Sequence, residues 1–348
     1  TPVLLGGLNL LVVSLVLWYF PDRLARPRIF KAQFAGLLVA SVLAFAVAKP
    51  IILHGEQHKY KDKIVYEEQT RYQKIVVTQW KDDYWLFING STQFSTYDEE
   101  RYHEPLVHPL MGLIEERKDI LLLGGGDGLA AREILKYPDV KNLTLVDLDP
   151  AMTQLARKND IFLGINQGSL NDPRVRVVNQ DAYQFINNSG DLYDAIIVDL
   201  PDPKSVSLSL LYSLGFYKMV EKHLKPFGAM VTQSTSPLYS PEAFLCIKKT
   251  VEFAGFSTLP YQNSIPSMGQ WGWVLGVRQK AMPAQRLKQD LTALEFADIE
   301  TRFLNRDAMI SMVHFGKGLF EKEDIIEPNT QFDHNILKYY RQGSWDLY

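Results

Sequence analysis

The chain predicts an α/β protein built on a Rossmann-like, doubly wound parallel sheet, and three observations predict it. First, Ile120-Leu121-Leu122-Leu123 runs straight into Gly124-Gly125-Gly126-Asp127-Gly128. An apolar run closing on a glycine cluster reads as a buried parallel strand, a tight turn and a helix start. Glycine allows the sharp turn and a ligand approach that a Cβ would block. Second, further apolar runs end in acids: Leu143-Thr144-Leu145-Val146-Asp147, Val175 to Asp181, and Ala195-Ile196-Ile197-Val198-Asp199 followed by Leu200-Pro201-Asp202-Pro203. Asp147 follows the glycines at about 20 residues, the distance at which a strand-end carboxylate grips ribose hydroxyls. Third, these polar strand ends describe one crevice along the carboxyl edge of the sheet, where such folds bind ligands. No Lys-Ser/Thr follows the glycines, so a P-loop is disfavoured and a nucleoside without phosphates is the expected ligand.

In chain order, Val3 to Phe20 is apolar and nearly uncharged, close to the ~20 residues that cross a bilayer as a helix. Trp18 and Tyr19 at its end fit an interfacial aromatic belt. Phe34 to Leu53 is a second apolar segment, interrupted by Lys49-Pro50. A signal peptide would carry basic residues before its apolar core and would not be followed by a second such segment. Residues 1–56 are therefore expected to form two transmembrane helices with a basic connector holding Arg23, Arg26, Arg28 and Lys31. The chain begins Thr-Pro without methionine, so upstream residues are expected. The connector's charges favour one orientation, and Lys49, Lys59, Lys61 and Lys63 favour the other.

Residues 57–97 read as a small antiparallel β-domain. Tyr72 to Thr78 alternates, and Tyr84 to Ile88 leads into an Asn89-Gly90 hairpin turn. Asp98-Glu99-Glu100 opens a helix running toward Met111. Residues 98–282 form the expected α/β domain, with Met230 to Gln233 and Gly272 to Val277 as its last strands. Residues 283–348 read as a mixed, partly helical tail without legible chemistry.

At 348 residues the chain has room for a catalytic domain of ordinary size and something smaller. Its formal charge of -3 offers no bulk attraction to nucleic acid. One cysteine, Cys246, excludes an internal disulfide framework and suits a reducing compartment. The histidines do not pair at ligand spacings, so no metal is expected.

The ordered set Tyr72-Gln73, Asp98-Glu99, Tyr102-His103-Glu104, Gly124 to Gly128, Asp147-x-Asp149, Asp181-Ala182 and Asp199-x-x-Asp202-Pro203 resembles the spermidine synthase (polyamine aminopropyltransferase) family. Leu211-Tyr212, Phe216-Tyr217 and Gln233 continue the match, which runs from about Glu67 to Val277. The apolar N-terminus, the stretch Ser264 to Gly272 and the tail resemble a membrane-anchored bacterial branch.

The resemblance implies a class I methyltransferase-like fold and transfer of an aminopropyl group from decarboxylated S-adenosylmethionine to a polyamine acceptor. The first expected acceptor is putrescine, the product spermidine, and the by-product methylthioadenosine. Asp199 is implied as the proton acceptor, with Tyr102 orienting the attacking amine. Gln73, His103 (where relatives often carry Gln), Gly124, Gly125, Asp127, Asp147, Asp181 and Ala182 are implied on the cosubstrate side. In that set Asp147 holds the ribose, Asp181 the adenine amino group and Asp127 the aminopropyl ammonium. Asp202, Gln233, Met268 and Trp271 are implied on the acceptor side. Soluble relatives usually carry a tyrosine where Met268 stands, which implies a more apolar acceptor pocket here. The resemblance further implies a homodimer, no permanently bound cofactor and no metal. Joined to the apolar N-terminus, it implies an integral protein of the bacterial inner membrane, with the bilayer as a partner and the catalytic domain cytoplasmic.

Other readings stand beside these. Asp149 before Pro150 suits a helix cap. Asp98 and Glu99 suit either ligand contact or a dipole-stabilised helix start. An S-adenosylmethionine-dependent methyltransferase and a membrane-bound polyamine or nucleoside sensor are the alternative functions. An acid at Asp127 disfavours the first, because it would repel the methionine carboxylate. The set Tyr102, Asp199 and Asp202 disfavours the second, because binding alone needs no general base.

Overall fold

The computed structural model describes residues 2–20, 29, 32, 34–42, 55, 57–279 and 282–345. The chain divides into two compact units, Thr1–Val65 with Thr78–Trp80, and Tyr66–Val77 with Lys81–Tyr348.

The first unit opens with helix α1 (Pro2–Tyr19), which has no acidic residue in its first turn and no basic residue in its last. Its 18 residues rise about 27 Å. Among the described residues no helix is long and apolar enough to cross a membrane. Phe34 to Leu53 is helical over residues 34–42, and the remainder of that segment lies outside the described residues, as does most of the basic connector. Among the described residues this corrects the expectation of transmembrane helices, and with it the bilayer partner, the membrane-anchored branch and the inner-membrane location, while much of the second expected span lies outside them.

Strands β1 (Lys63–Gln69), β2 (Lys74–Trp80), β3 (Asp83–Ile88) and β4 (Ser91–Ser95) form a four-stranded sheet in that order. The Asn89-Gly90 turn joins β3 to β4 with φ of 52° and 82°, the left-handed pair that a two-residue hairpin requires.

The larger sheet holds β5 (Asp119–Gly124), β6 (Asn142–Asp147), β7 (Val175–Asn179), β8 (Tyr193–Asp199), β9 (Leu224–Gln233), β10 (Phe256–Ile265) and β11 (Gly269–Arg278). Their spatial order is β10-β11-β9-β8-β5-β6-β7. β5 to β9 are parallel neighbours, and β10 and β11 close one side antiparallel. Ile120 to Leu123 and Ala195 to Val198 are completely buried, as expected of parallel strands covered on both faces. From β5 the chain winds outward through β6 and β7, then returns to β8 on the other side. The switch point therefore falls between β5 and β8, where Gly124 pairs with Asp199.

β10 was not expected from the sequence, and Pro260 within it explains why. A proline cannot donate to a strand ladder and is tolerated on an edge, which is where β10 lies. Helix α2 (Glu100–Leu113) packs against β8 to β11 and buries Tyr102, His103 and Glu104. On the sheet, Tyr212, Phe216, Tyr217, Phe244 and Phe256 build a core into which Cys246 is sealed. Burial pushes the Cys246 thiol up to about 12, so it serves as core rather than nucleophile.

Two buried side chains help to fasten the C-terminal segment. The Glu104 carboxylate accepts the backbone N–H of Arg302 at 2.6 Å, Phe303 at 2.9 Å and Leu304 at 2.7 Å. The buried Asn329 amide donates to the carbonyls of Ser209 at 2.8 Å and Tyr212 at 3.1 Å.

Candidate active site

The glycine turn after β5 is shaped by contacts that only glycine permits. Gly124, Gly125 and Gly128 have φ of +89°, +69° and +87°. A Cβ on Gly126 would overlap the Asp147 carboxylate, and one on Gly124 would overlap the Asp199 carbonyl. The Gly126 N–H donates to Asp147 Oδ2 at 3.1 Å, and the Asp149 N–H donates to Oδ1 at 2.9 Å. From behind, Asn166 Nδ2 donates to the Asp127 carbonyl at 2.9 Å, and Ser169 Oγ to the Gly128 carbonyl at 2.7 Å. These two braces were not foreseen, because nothing in the local sequence around them marks a contact with the turn.

Asp127, Asp147, Asp199 and Asp202 all keep partial exposure at the carboxyl ends of β5, β6 and β8. Burial lifts each of their carboxyls above the usual range, Asp147 and Asp199 to about 6. Crowding adds to this, since Asp127 raises both Asp147 and Asp199. Such a row favours cations, which would relieve the desolvation of the ionised carboxylates.

Tyr102 on α2 donates its hydroxyl to Asp199 Oδ1 at 2.7 Å. Burial, with Asp199 beside it, holds that hydroxyl well above its ordinary value, so it stays a donor. One residue on, His103 Nδ1 lies 2.9 Å from the Glu99 carbonyl and 3.0 Å from Glu99 Oε2. Arg132 Nη2 donates to both Glu99 oxygens at 2.9 Å, and Arg302 Nη2 to Oε1 at 2.8 Å. Burial alone would raise Glu99, but His103 and Arg132 outweigh it and hold the carboxyl below its ordinary range. Burial likewise opposes charge on His103, and Glu99, Asp127 and Asp199 reverse that. Glu99 is thus the hub of a buried ionic cluster and makes no side-chain cap.

The turn between β1 and β2 carries Gln73. Thr70 Oγ1 there donates to Asp149 Oδ2 at 2.8 Å, tying the turn to the end of β6. Asp149 also caps the helix Pro150–Lys158, accepting the Ala151 N–H at 3.0 Å. Asp181 caps the helix Ala182–Asn188 through the Gln184 N–H at 2.9 Å while remaining partly exposed, and Ala182 is buried beside it.

On the other side of Asp199, Asp202 accepts from Tyr340 at 2.9 Å and from Gln233 Nε2 at 3.4 Å. Gln233 also donates to the Leu200 carbonyl at 2.7 Å and bonds the Tyr212 hydroxyl. Its Oε1 accepts from Thr235 N at 2.8 Å and Trp271 Nε1 at 3.2 Å. Gln233 is therefore spent on the protein, shaping the pocket wall from behind. Met268 is buried in the β10–β11 loop and Trp271 in strand β11. Asp98 grips that loop, accepting from Ser267 N and Ser267 Oγ, each at 2.7 Å. Its place is thus a loop anchor, an outcome its position before a helix did not reveal. Among the described residues no group of His, Cys, Asp and Glu side chains is placed to hold a metal ion.

The family model of the spermine/spermidine synthase domain matches residues 99–289. Polyamine aminopropyltransferase of Oceanobacillus iheyensis is 40% identical over 353 residues, covering 100% of this chain and 66% of that protein. Polyamine aminopropyltransferase 1 of Streptomyces coelicolor is 41% identical over 326 residues, covering 90% of this chain and 59% of that protein. The chain therefore spans less than two thirds of the length of these relatives. The crystal structure of spermidine synthase from Thermotoga maritima superposes with a TM-score of 0.66 at 23% identity, covering 76% of this chain and 88% of that one. That likeness is one of fold.

Proposed function

The chain belongs to the spermine/spermidine synthase family, and on that premise we propose that it is a polyamine aminopropyltransferase. It takes decarboxylated S-adenosylmethionine as donor and a diamine, putrescine first, as acceptor. The observation that carries this reading is the Tyr102–Asp199 hydrogen bond within a row of half-buried carboxylates at the switch point.

The amine nitrogen attacks the aminopropyl carbon next to the sulfonium. A C–N bond forms, the C–S pair returns to sulfur, and methylthioadenosine leaves as a neutral thioether. The surplus proton of the amine passes to Asp199. A free amine of this kind has a pKa near that of lysine, about 10.4, so it must be held neutral to attack. Asp199, lifted to about 6, is ionised at neutral pH and close to the working range of a general base. Tyr102 fixes the orientation of that carboxylate and stays protonated itself.

On the donor side, Asp147 receives the ribose hydroxyls and Asp181 the adenine amino group beside Ala182. Gly124 and Gly125 let the backbone approach, and Gln73 and His103 line the remaining wall. Glu99 balances the charge on His103 and so spares the sulfonium a facing cation. Asp127 receives the aminopropyl ammonium. Asp202 takes the charged end of the acceptor, with Gln233 behind it and Met268 and Trp271 as apolar walls.

Asp127 also separates the two possible donors. S-adenosylmethionine places a carboxylate against it, and two like charges about 4 Å apart cost on the order of 4 kcal/mol at a protein surface. Calorimetric titration should therefore show the decarboxylated donor binding at least about 100-fold tighter than S-adenosylmethionine. Asp127→Asn should narrow that gap. Equal affinity for both donors in the unaltered chain would refute the assignment and favour a methyltransferase.

A further inference from the structure

Arg302 lies beyond the residues matched by the family model, yet it reaches the ionic cluster around Glu99. Its backbone N–H is accepted by the Glu104 carboxylate at 2.6 Å, as are those of the next two residues. That grip holds the backbone in place, and the exposed Arg302 side chain pairs with Glu99 and Glu100.

Glu99 divides its negative charge among three partners. Arg132, on the helix Leu129–Leu135, gives it two hydrogen bonds and is locked by Glu133 and by the Ile165 carbonyl, which accepts from Nη1 at 2.9 Å. Glu133 pairs further with Lys136 and His108. Arg302 takes Oε1 of Glu99 at 2.8 Å, and His103 Nδ1 takes Oε2 at 3.0 Å. Both partners of Nδ1, the Glu99 carbonyl and carboxylate, are acceptors, so Nδ1 carries a proton. The second proton of His103 therefore comes and goes at Nε2. Besides Glu99, Asp127 and Asp199 favour the cation, and the rings of Phe94 and Tyr102 pack edge to face with the imidazole.

We propose that Arg302 is a positioning residue for the transfer: by sharing Glu99 with His103 it limits the cationic form of the imidazole on the donor wall, and so protects the binding of the donor's sulfonium. This rests on the aminopropyl-transfer reading above. A carboxylate that already neutralises a guanidinium stabilises a neighbouring imidazolium less, and the guanidinium itself repels that imidazolium. Removing Arg302 acts in one direction on both counts, so His103 takes up its second proton at a higher pH. An imidazolium and a sulfonium in one enclosed pocket repel each other, and the donor then binds less well. Because Arg302 is exposed, solvent screening keeps the effect to the scale of a surface ion pair. Far above the titration both chains hold a neutral imidazole, and far below it both hold a cation. The two differ only in between.

The test is an NMR pH titration of the His103 ring nitrogens, assigned by their loss in His103→Gln, in the unaltered chain, Arg302→Gln and Arg302→Lys. Arg302→Gln should move the titration up by about half a unit. Arg302→Lys keeps the charge and should stay near the unaltered chain. Calorimetric titration with decarboxylated S-adenosylmethionine across the same pH range gives the consequence for binding. Arg302→Gln should weaken the donor by up to about threefold within the His103 titration and not at all on its alkaline side. In a His103→Gln background Arg302→Gln should have no further effect on donor affinity. An unmoved His103 titration, or a loss of donor affinity equal at every pH, would overturn the role of Arg302 alone. No donor binding by the unaltered chain at any pH would overturn the aminopropyl-transfer reading and this role with it.

Discussion

Asp199→Asn is expected to lower kcat by about 10³-fold, within the range of a positioned general base. Donor affinity should be nearly unchanged. The asparagine still accepts the Tyr102 hydroxyl, so the pocket keeps its shape and loses the group that takes the proton. In the unaltered chain Asp199 and Asp147 both sit at about 6, and both act ionised. The kcat/KM should therefore be level above pH ~6 and fall as pH drops through that value.

The same carboxylate is costly to the fold. Its pKa rises from 3.8 when unfolded to about 6 in the native state, so the native state prefers the protonated form. The penalty is absent below pH 3.8, grows as pH rises toward 6, and reaches about 3 kcal/mol above that. Asp199→Asn should accordingly melt at a higher temperature than the parent at pH 8, with the difference shrinking toward pH 4. Retained kcat, or a lower melting temperature at pH 8, would contradict this role.

Gly124→Ala is expected to have the largest effect on stability. A Cβ at this position would overlap the Asp199 carbonyl oxygen and lie 2.7 Å from the carbonyl carbon, at a φ of +89°. Both obstacles are backbone, and they lie at the switch point between β5 and β8. Relief requires parting a central strand pair, so the loss should exceed about 3 kcal/mol, with activity lost alongside. Gly168 is the internal comparison, since its φ is +68° and nothing lies within 4 Å of its missing Cβ. Gly168→Ala should cost only the left-handed backbone term of about 1–2 kcal/mol. Urea unfolding of both variants measures the contrast. Equal losses would show that the turn's conformation alone, and not its closeness to Asp199, explains Gly124.

The carboxylate-lined crevice was legible in the sequence because its parts are local. Strands β5, β6 and β8 are apolar runs whose last residues, Gly124, Asp147 and Asp199, reach the crevice. Asn89-Gly90 marked its hairpin for the same reason. What was not legible depends on distant partners. Asp98 gripping Ser267, Glu104 gripping residues 302–304, and Tyr340 reaching Asp202 join positions far apart in the chain. Nothing in either member of such a pair announces the other. The tail accordingly read as featureless, although it supplies a hydroxyl to the site. The N-terminal apolar run misled for a different reason. Composition alone matched a bilayer span, whereas among the described residues no helix is long and apolar enough to cross one.

The most direct measurement is mass spectrometry of the products formed from decarboxylated S-adenosylmethionine with putrescine, cadaverine or spermidine. The expected result is methylthioadenosine and spermidine in equal amounts from putrescine, at a rate that Asp199→Asn nearly abolishes. Donor binding without any aminopropylated amine, or a methylated product from S-adenosylmethionine, would contradict it.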